Sequence, residues 1–193
     1  MKVMFLSLLL SVPTAQSDKV MQLYEASTRY YESQKYDSAV IVGEQALPLL
    51  QQKGLKAEEA EQLSILSVCC MRQSDYDKAL QYAKACNELE RKNGNAERIS
   101  SSLNTIGSIY VAAKQPQEGL KYLQQALQYA EKTGKNSRIA LTCGSLSETE
   151  FALKHNKEAM NYIDRTLDNF DVWKKELVDE IEIWKTAMGK IEI

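Results

Sequence analysis

Hydrophobic residues recur at helical spacing along most of the chain. Leu103, Ile106, Gly107 and Tyr110 fall at i, i+3, i+4 and i+7, one buried stripe of an amphipathic helix. Ala79, Leu80, Ala83 and Cys86 form a comparable face on another helix. Extended to the rest of the chain, this spacing predicts pairs of helices. First helices are expected over 20–33, 58–73, 98–113 and 138–153, and second helices over 37–52, 77–92, 117–132 and 157–170. The connection inside each pair is short and polar. Asp75 is placed to cap the helix that follows, and Pro116 suits a first helical position, where no N–H is needed. Asp77 and Glu118 lie in first turns, where negative charge is favoured.

The pairs keep a period of 40 residues. Ala39, Ala79, Gly119 and Ala159 form one small-residue column, and Ala46, Cys86, Ala126 and Thr166 a second. Tyr36, Tyr76, Pro116 and Asn156 form a third. Gly54, Gly94 and Gly134 each follow a polar stretch containing Lys, where a left-handed residue closes a helix. The first column has a packing reason. Helices joined by a tight turn approach closely near it, and Ala or Gly lets their axes reach about the lower end of the usual 8–10 Å.

A last helix is expected over 171–193. Trp173, Leu177, Ile181, Trp184 and Met188 make one apolar stripe, and position by position the segment reads as a first helix without its second. It is expected to cap the array or to mark where a longer array was cut. Its apolar face makes self-association through this helix a candidate property.

Composition narrows the function. The chain of 193 residues has 44% hydrophobic and 26% charged residues, as soluble globular proteins do. Only 8 Gly and 3 Pro interrupt it, which favours long helices over a strand-rich sandwich. The net charge of -2 comes from mixed signs without a basic block, so nucleic acid is not an expected partner. No Walker-type loop, G-x-G-x-x-G or G-x-S-x-G motif occurs. His155 is the only histidine and falls in a turn between helices, so no enzyme is expected. No cofactor is implied. The four cysteines, Cys69, Cys70, Cys86 and Cys143, lack zinc-site spacing and read as small core residues.

The N-terminus stands apart. MKVMFLSLLLSVPTAQS has an early Lys, an apolar run from Val3 to Leu10 broken only by Ser7, and then Pro13 with small residues. That is the layout of a secretory signal peptide over 1–17, and it predicts export, to a periplasm in a bacterial cell. The run is too short for a stable membrane span, which needs about 20 apolar residues.

The periodic segment resembles the tetratricopeptide repeat (TPR) family. In LNTIGSIYVAAKQPQEGLKYLQQALQYAEKTG (103–134), Leu103, Ile106–Gly107, Tyr110, Gly119, Leu123 and Ala126 fill the family's pattern. The second unit offers Leu63, Leu66–Ser67, Ala79, Ala83 and Cys86, and the first Leu23, Ala26–Ser27, Tyr30, Ala39 and Ala46. The fourth departs, with Glu150 in place of Tyr and Thr166 in place of Ala. The resemblance covers about 20–170, with units over 20–54, 58–94, 98–134 and 138–170, and its period is longer than the usual ~34 residues. It implies an all-α, right-handed α-solenoid of about four helix pairs plus the C-terminal helix.

The resemblance also implies a non-enzymatic scaffold that binds a peptide or helix on a concave face lined by first helices. Carried over residue by residue, that face comprises Tyr24, Thr28 and Tyr31, then Ser64, Val68, Met71 and Arg72. It continues with Asn104, Ser108 and Val111, and with Glu148 and Phe151. The family's carboxylate clamp for chaperone tails is not matched, because Tyr24, Thr28, Ile65, Ser101 and Thr105 stand at its positions. The expected partner is a protein or peptide. The other reading is the extracytoplasmic sensor domain of a truncated TPR-containing signalling or regulatory protein.

Overall fold

A computed structural model describes residues 14–188, with side-chain environments for 19–177. Its elements are α1 (Thr14–Glu32), α2 (Tyr36–Lys53), α3 (Lys56–Arg72), α4 (Tyr76–Asn93), α5 (Ala96–Ala112), α6 (Pro116–Thr133), α7 (Asn136–Ala152) and α8 (Asn156–Met188). No strand occurs among the described residues. The all-α class and the helix pairing expected from the hydrophobic pattern are both present. Most of the signal-like segment, residues 1–13, lies outside the described residues, and α1 begins at Thr14. Within the described residues no helix is long and apolar enough to cross a membrane.

Two kinds of turn alternate. Turns that follow α2, α4 and α6 use Gly54, Gly94 and Gly134 at φ 70°, 72° and 66°, as the glycine column predicts. Turns inside the pairs use the same left-handed geometry without glycine, at Gln34, Ser74, Lys114 and Lys154, again 40 residues apart. Each is followed by an amide that reaches back to the same point of the preceding helix. Lys35 donates to the Tyr30 carbonyl at 2.8 Å, Asp75 to Cys70 at 2.9 Å, Gln115 to Tyr110 at 2.8 Å and His155 to Glu150 at 2.9 Å. These bonds satisfy orphan carbonyls and hold the non-glycine residue where its Cβ is strained. Lys114→Gly is therefore expected to stabilise the protein by about 0.5–1 kcal/mol in urea denaturation. Unchanged or reduced stability would mean that the turn carries no strain. The expected caps also form: Asp75 accepts from the Lys78 amide at 3.2 Å, and Pro116 occupies the start of α6.

The packing of the described residues forms two compact units that divide between Leu89 and Glu90. In the first, Val20, Ala46 and Leu50 form a buried cluster joined by Leu23, Tyr24, Leu49 and Leu55. In the second, Ile99, Leu103 and Ala126 pack with Tyr122 and Tyr129, and Leu123, Leu127, Cys143 and Leu146 pack with Leu120, Ile139 and Tyr162. Polar bridges between repeats accompany both cores. Tyr82 donates to Glu44 at 2.7 Å, and Lys78 pairs with the same carboxylate. The Lys78 hydrogen bond holds the Glu44 carboxyl below its ordinary range, against the opposing effect of burial. Arg165 pairs with Glu131 at 2.7 Å.

The column Ala39, Ala79, Gly119 and Ala159 is buried throughout. A second small column faces it at the same period: Ser27, Ser67, Gly107 and Ser147. A Cβ on Gly119 would lie 2.8 Å from the Gly107 carbonyl oxygen, and one on Gly107 3.0 Å from the Gly119 carbonyl oxygen. In the third pair the two backbones thus meet at their small residues.

The four cysteines are free and buried, as their spacing and apolar neighbours suggest. Burial pushes the Cys69 and Cys70 thiols up to about 11 and raises that of Cys143. A disulfide-forming reagent at pH 8 is therefore expected to leave all four thiols unmodified in the folded protein and to titrate all four after denaturation. Fast labelling of any one in the native state would place it at the surface.

One difference concerns the C-terminal helix. The sequence reading puts a junction at 170/171, yet α8 runs unbroken from Asn156 to Met188. The reason is one residue. A step of 40 beyond Gly134 reaches Lys174, so the left-handed stop that ends α2 and α6 is missing. The fourth second helix and the expected last helix are one element.

Candidate functional site

In the first unit, α1 and α3 lie side by side and enclose a groove of about 240 Å³. Its lining is Thr28, Tyr31 and Glu32 from α1, and Glu61, Ser64, Ile65 and Val68 from α3. The i, i+3, i+4 spacing on α1 and the i, i+3, i+4, i+7 spacing on α3 put each set on one helix face. Ile65 is buried and Val68 half-buried, so the floor is apolar. Thr28 donates to the Tyr24 carbonyl at 3.1 Å, which leaves its oxygen free to accept. Among the described residues, the Tyr31 phenol, the Ser64 hydroxyl and the Glu32 and Glu61 carboxylates have no hydrogen-bond or ion-pair partner. The groove therefore offers an apolar strip, three hydroxyls and two carboxylates.

Of the residues expected in this unit, Thr28, Tyr31, Ser64 and Val68 come together in the groove. Tyr24 does not line it. Its ring packs on the Val20, Ala46 and Leu50 cluster. Met71 is half-buried and Arg72 exposed in the last turn of α3, beyond the groove lining. Glu32 was missed by sequence reasoning, although it follows Thr28 by four residues and so shares its helix face.

In the second unit, Asn104, Ser108 and Val111 lie on α5, and Glu148 and Phe151 on α7. The Asn104 Oδ1 atom is buried without a hydrogen-bond partner among the described residues. Ser108 is half-buried. Val111 turns a methyl toward Gly119, so part of it is used in holding α5 on α6. Glu148 is exposed, and Phe151 is the most exposed large apolar side chain described, at 70%.

His155 has a structural place that its turn position did not reveal. Its Nδ1 lies 2.8 Å from Oε2 of Glu150, a carboxylate almost wholly buried where the first and third units carry Tyr30 and Tyr110. The pair ties the end of α7 to the turn before α8. Among the described residues no group of three His, Cys, Asp or Glu is placed to hold a metal ion.

The repeat geometry has a counterpart in a known family. The tetratricopeptide repeat model matches residues 58–132. This segment matches the tetratricopeptide repeat family. Comparison with curated proteins finds no match. Among solved structures, the chain is similar to apo RapI, at 18% identity and a TM-score of 0.73, over 82% of this chain and 44% of RapI. It is also similar to a Rap protein complexed with competence and sporulation factor, at 16% identity and a TM-score of 0.74, over 86% of this chain and 46% of that one. A third is a signal-transduction ATPase with a tetratricopeptide repeat sensor from Pyrococcus horikoshii, at 18% identity and a TM-score of 0.73, over 86% of this chain and 26% of that one. The chain thus spans less than half the length of the Rap proteins it matches. At these identities the likeness is one of fold: a TPR-like helical repeat, the kind that serves as a protein-interaction module. The TPR segment includes α3, the groove-lining helix of the first unit, and α5 of the second.

Proposed function

We propose that the protein is a non-enzymatic TPR scaffold that binds a peptide or helical segment along its first helices, with the α1–α3 groove as its anchor site. The observation that carries this reading is the groove itself. Its apolar floor is flanked by hydroxyls and by two carboxylates that no described residue neutralises. Such a surface suits a segment with an apolar side chain on Ile65 and Val68 and a Lys or Arg between Glu32 and Glu61. Tyr31 supplies contact area at small entropic cost. The unpaired Asn104 oxygen and the exposed Phe151 are candidate contacts in the second unit. The Rap structure complexed with competence and sporulation factor supports binding as a use of this fold.

We place this activity outside the cytoplasm on the strength of the Val3–Leu10 run. Sequencing the N-terminus from the native host is expected to find a start near Gln16 or Asp18, and a start at Met1 would remove that placement. Pull-down from the native envelope with wild type and with Tyr31→Ala plus Ser64→Ala, both in the groove lining, tests the site. We expect at least a tenfold loss of the captured partner, equivalent to about 1.4 kcal/mol or more, at unchanged melting temperature. Equal recovery by both proteins would overturn the groove assignment.

A second reading is a sensor domain within a larger signalling protein. It is favoured by the likeness to an ATPase whose repeats are described as a sensor and of which this chain covers a quarter. Whether the native reading frame continues into a membrane span or an effector domain decides between the two.

A further inference from the structure

Among the described residues, nothing covers the outer face of α8 as its counterparts are covered. In α6, Leu123, Leu127 and Ala130 are buried, and α7 lies against that helix. In α2, Ala46 and Leu50 are buried likewise, and α3 lies against it. Forty residues beyond the α6 set stand Ile163, Leu167 and Phe170, larger in total and exposed by 41%, 56% and 45%. Met160, Trp173 and Leu177 extend the exposed stripe at 57%, 38% and 45%. Exposed apolar surface on this scale marks an interaction site.

We propose that this face binds the same face of a second copy of the chain, as an antiparallel α8–α8 pair about a twofold axis. Length selects the occupant. First helices such as α5 and α7 have 17 residues, about 25 Å, and leave much of the 33-residue α8 uncovered. A second α8 matches it end to end. The apolar positions follow a 3–4 alternation, Met160, Ile163, Leu167, Phe170 and Leu177, as a two-helix seam requires. The alternation passes through Lys174, and this charge sets the orientation. A parallel pair would place Lys174 against the partner's Lys174 in the middle of the seam. An antiparallel pair sets Lys174 over the partner's Phe170 ring, which attracts a cation. It also sets Leu167 against the partner's Leu177 and brings Trp173 beside the partner's Trp173 at the axis. Trp173 is already packed edge-on to Phe170 of its own helix, with centroids 5.5 Å apart.

Light scattering of the full chain is the test. Wild type is expected at twice the mass of its own chain, and Leu167→Glu plus Leu177→Glu at once that mass with unchanged helical content. Mild copper-catalysed oxidation is expected to join Trp173→Cys chains into a disulfide dimer and to leave Met160→Cys chains single, since the buried native thiols do not compete. A wild-type monomer at roughly 100 μM, a concentration at which even weak pairs form, would overturn the proposal. So would a dimer that survives the double Glu variant, or crosslinking of Met160→Cys, which a parallel pair would give.

Discussion

Gly119→Ala is expected to destabilise the protein by about 1–3 kcal/mol, whereas Gly144→Ala is expected to stabilise it by about 0.5–1 kcal/mol. Both glycines are inside helices, and Ala is the better helix former at each. Their surroundings decide the sign. A Cβ at 119 would lie 2.7 Å from Val111 Cγ2 and 2.8 Å from the Gly107 carbonyl oxygen. The valine methyl can turn away, but the carbonyl belongs to the α5 backbone, so the helices must part. A Cβ at 144 would meet nothing within 4 Å. Leu at Ala79, the same position of the second repeat, is expected to act in the same direction as Gly119→Ala. Urea denaturation of the two alanine variants gives the comparison. Two shifts of the same sign would show that helix propensity, rather than close approach, governs the small-residue column.

Ser27→Ala is expected to cost about 1–3 kcal/mol despite removing a single oxygen. The Gln62 side-chain amide donates to Ser27 Oγ at 2.9 Å, and Ser27 donates to the Ala39 carbonyl at 3.0 Å. Both side chains are fully buried, and the Gln62 Oε1 atom already has no partner among the described residues. Without the Ser27 hydroxyl the amide is left in the core with neither end paired, and water cannot reach it. Gln62→Leu in the Ser27→Ala background removes the stranded amide and is expected to recover most of the loss. The double-mutant cycle should therefore show strong coupling, and additive effects would mean that the chain Gln62–Ser27–Ala39 contributes nothing as a unit.

The groove divides along similar lines. Thr28, Tyr31, Ser64 and Val68 were legible because helical period puts them on one face of a first helix, and the TPR resemblance says which face. Tyr24 shares that period, yet it packs on Val20 and Leu50, because an aromatic ring reaches past its own stripe into the core. Glu32 was equally within reach, since it stands four residues after Thr28 on the same helix face, but it was passed over. The bond between His155 and Glu150 depends on how one turn closes, which no spacing encodes.

By itself the sequence determined the helix pairs, their period and the positions that must be small. Each of these follows from side-chain period and volume along one chain. It also contained the left-handed glycine stops and their omission at Lys174, though the consequence of that omission, one helix of 33 residues, needed the structure to be seen. Tertiary structure decided which apolar stripe is covered. Leu123 and Ile163 occupy the same place in the repeat and look alike in sequence. One is buried because α7 follows it and the other is exposed because no described helix does, since burial belongs to the neighbour as much as to the residue.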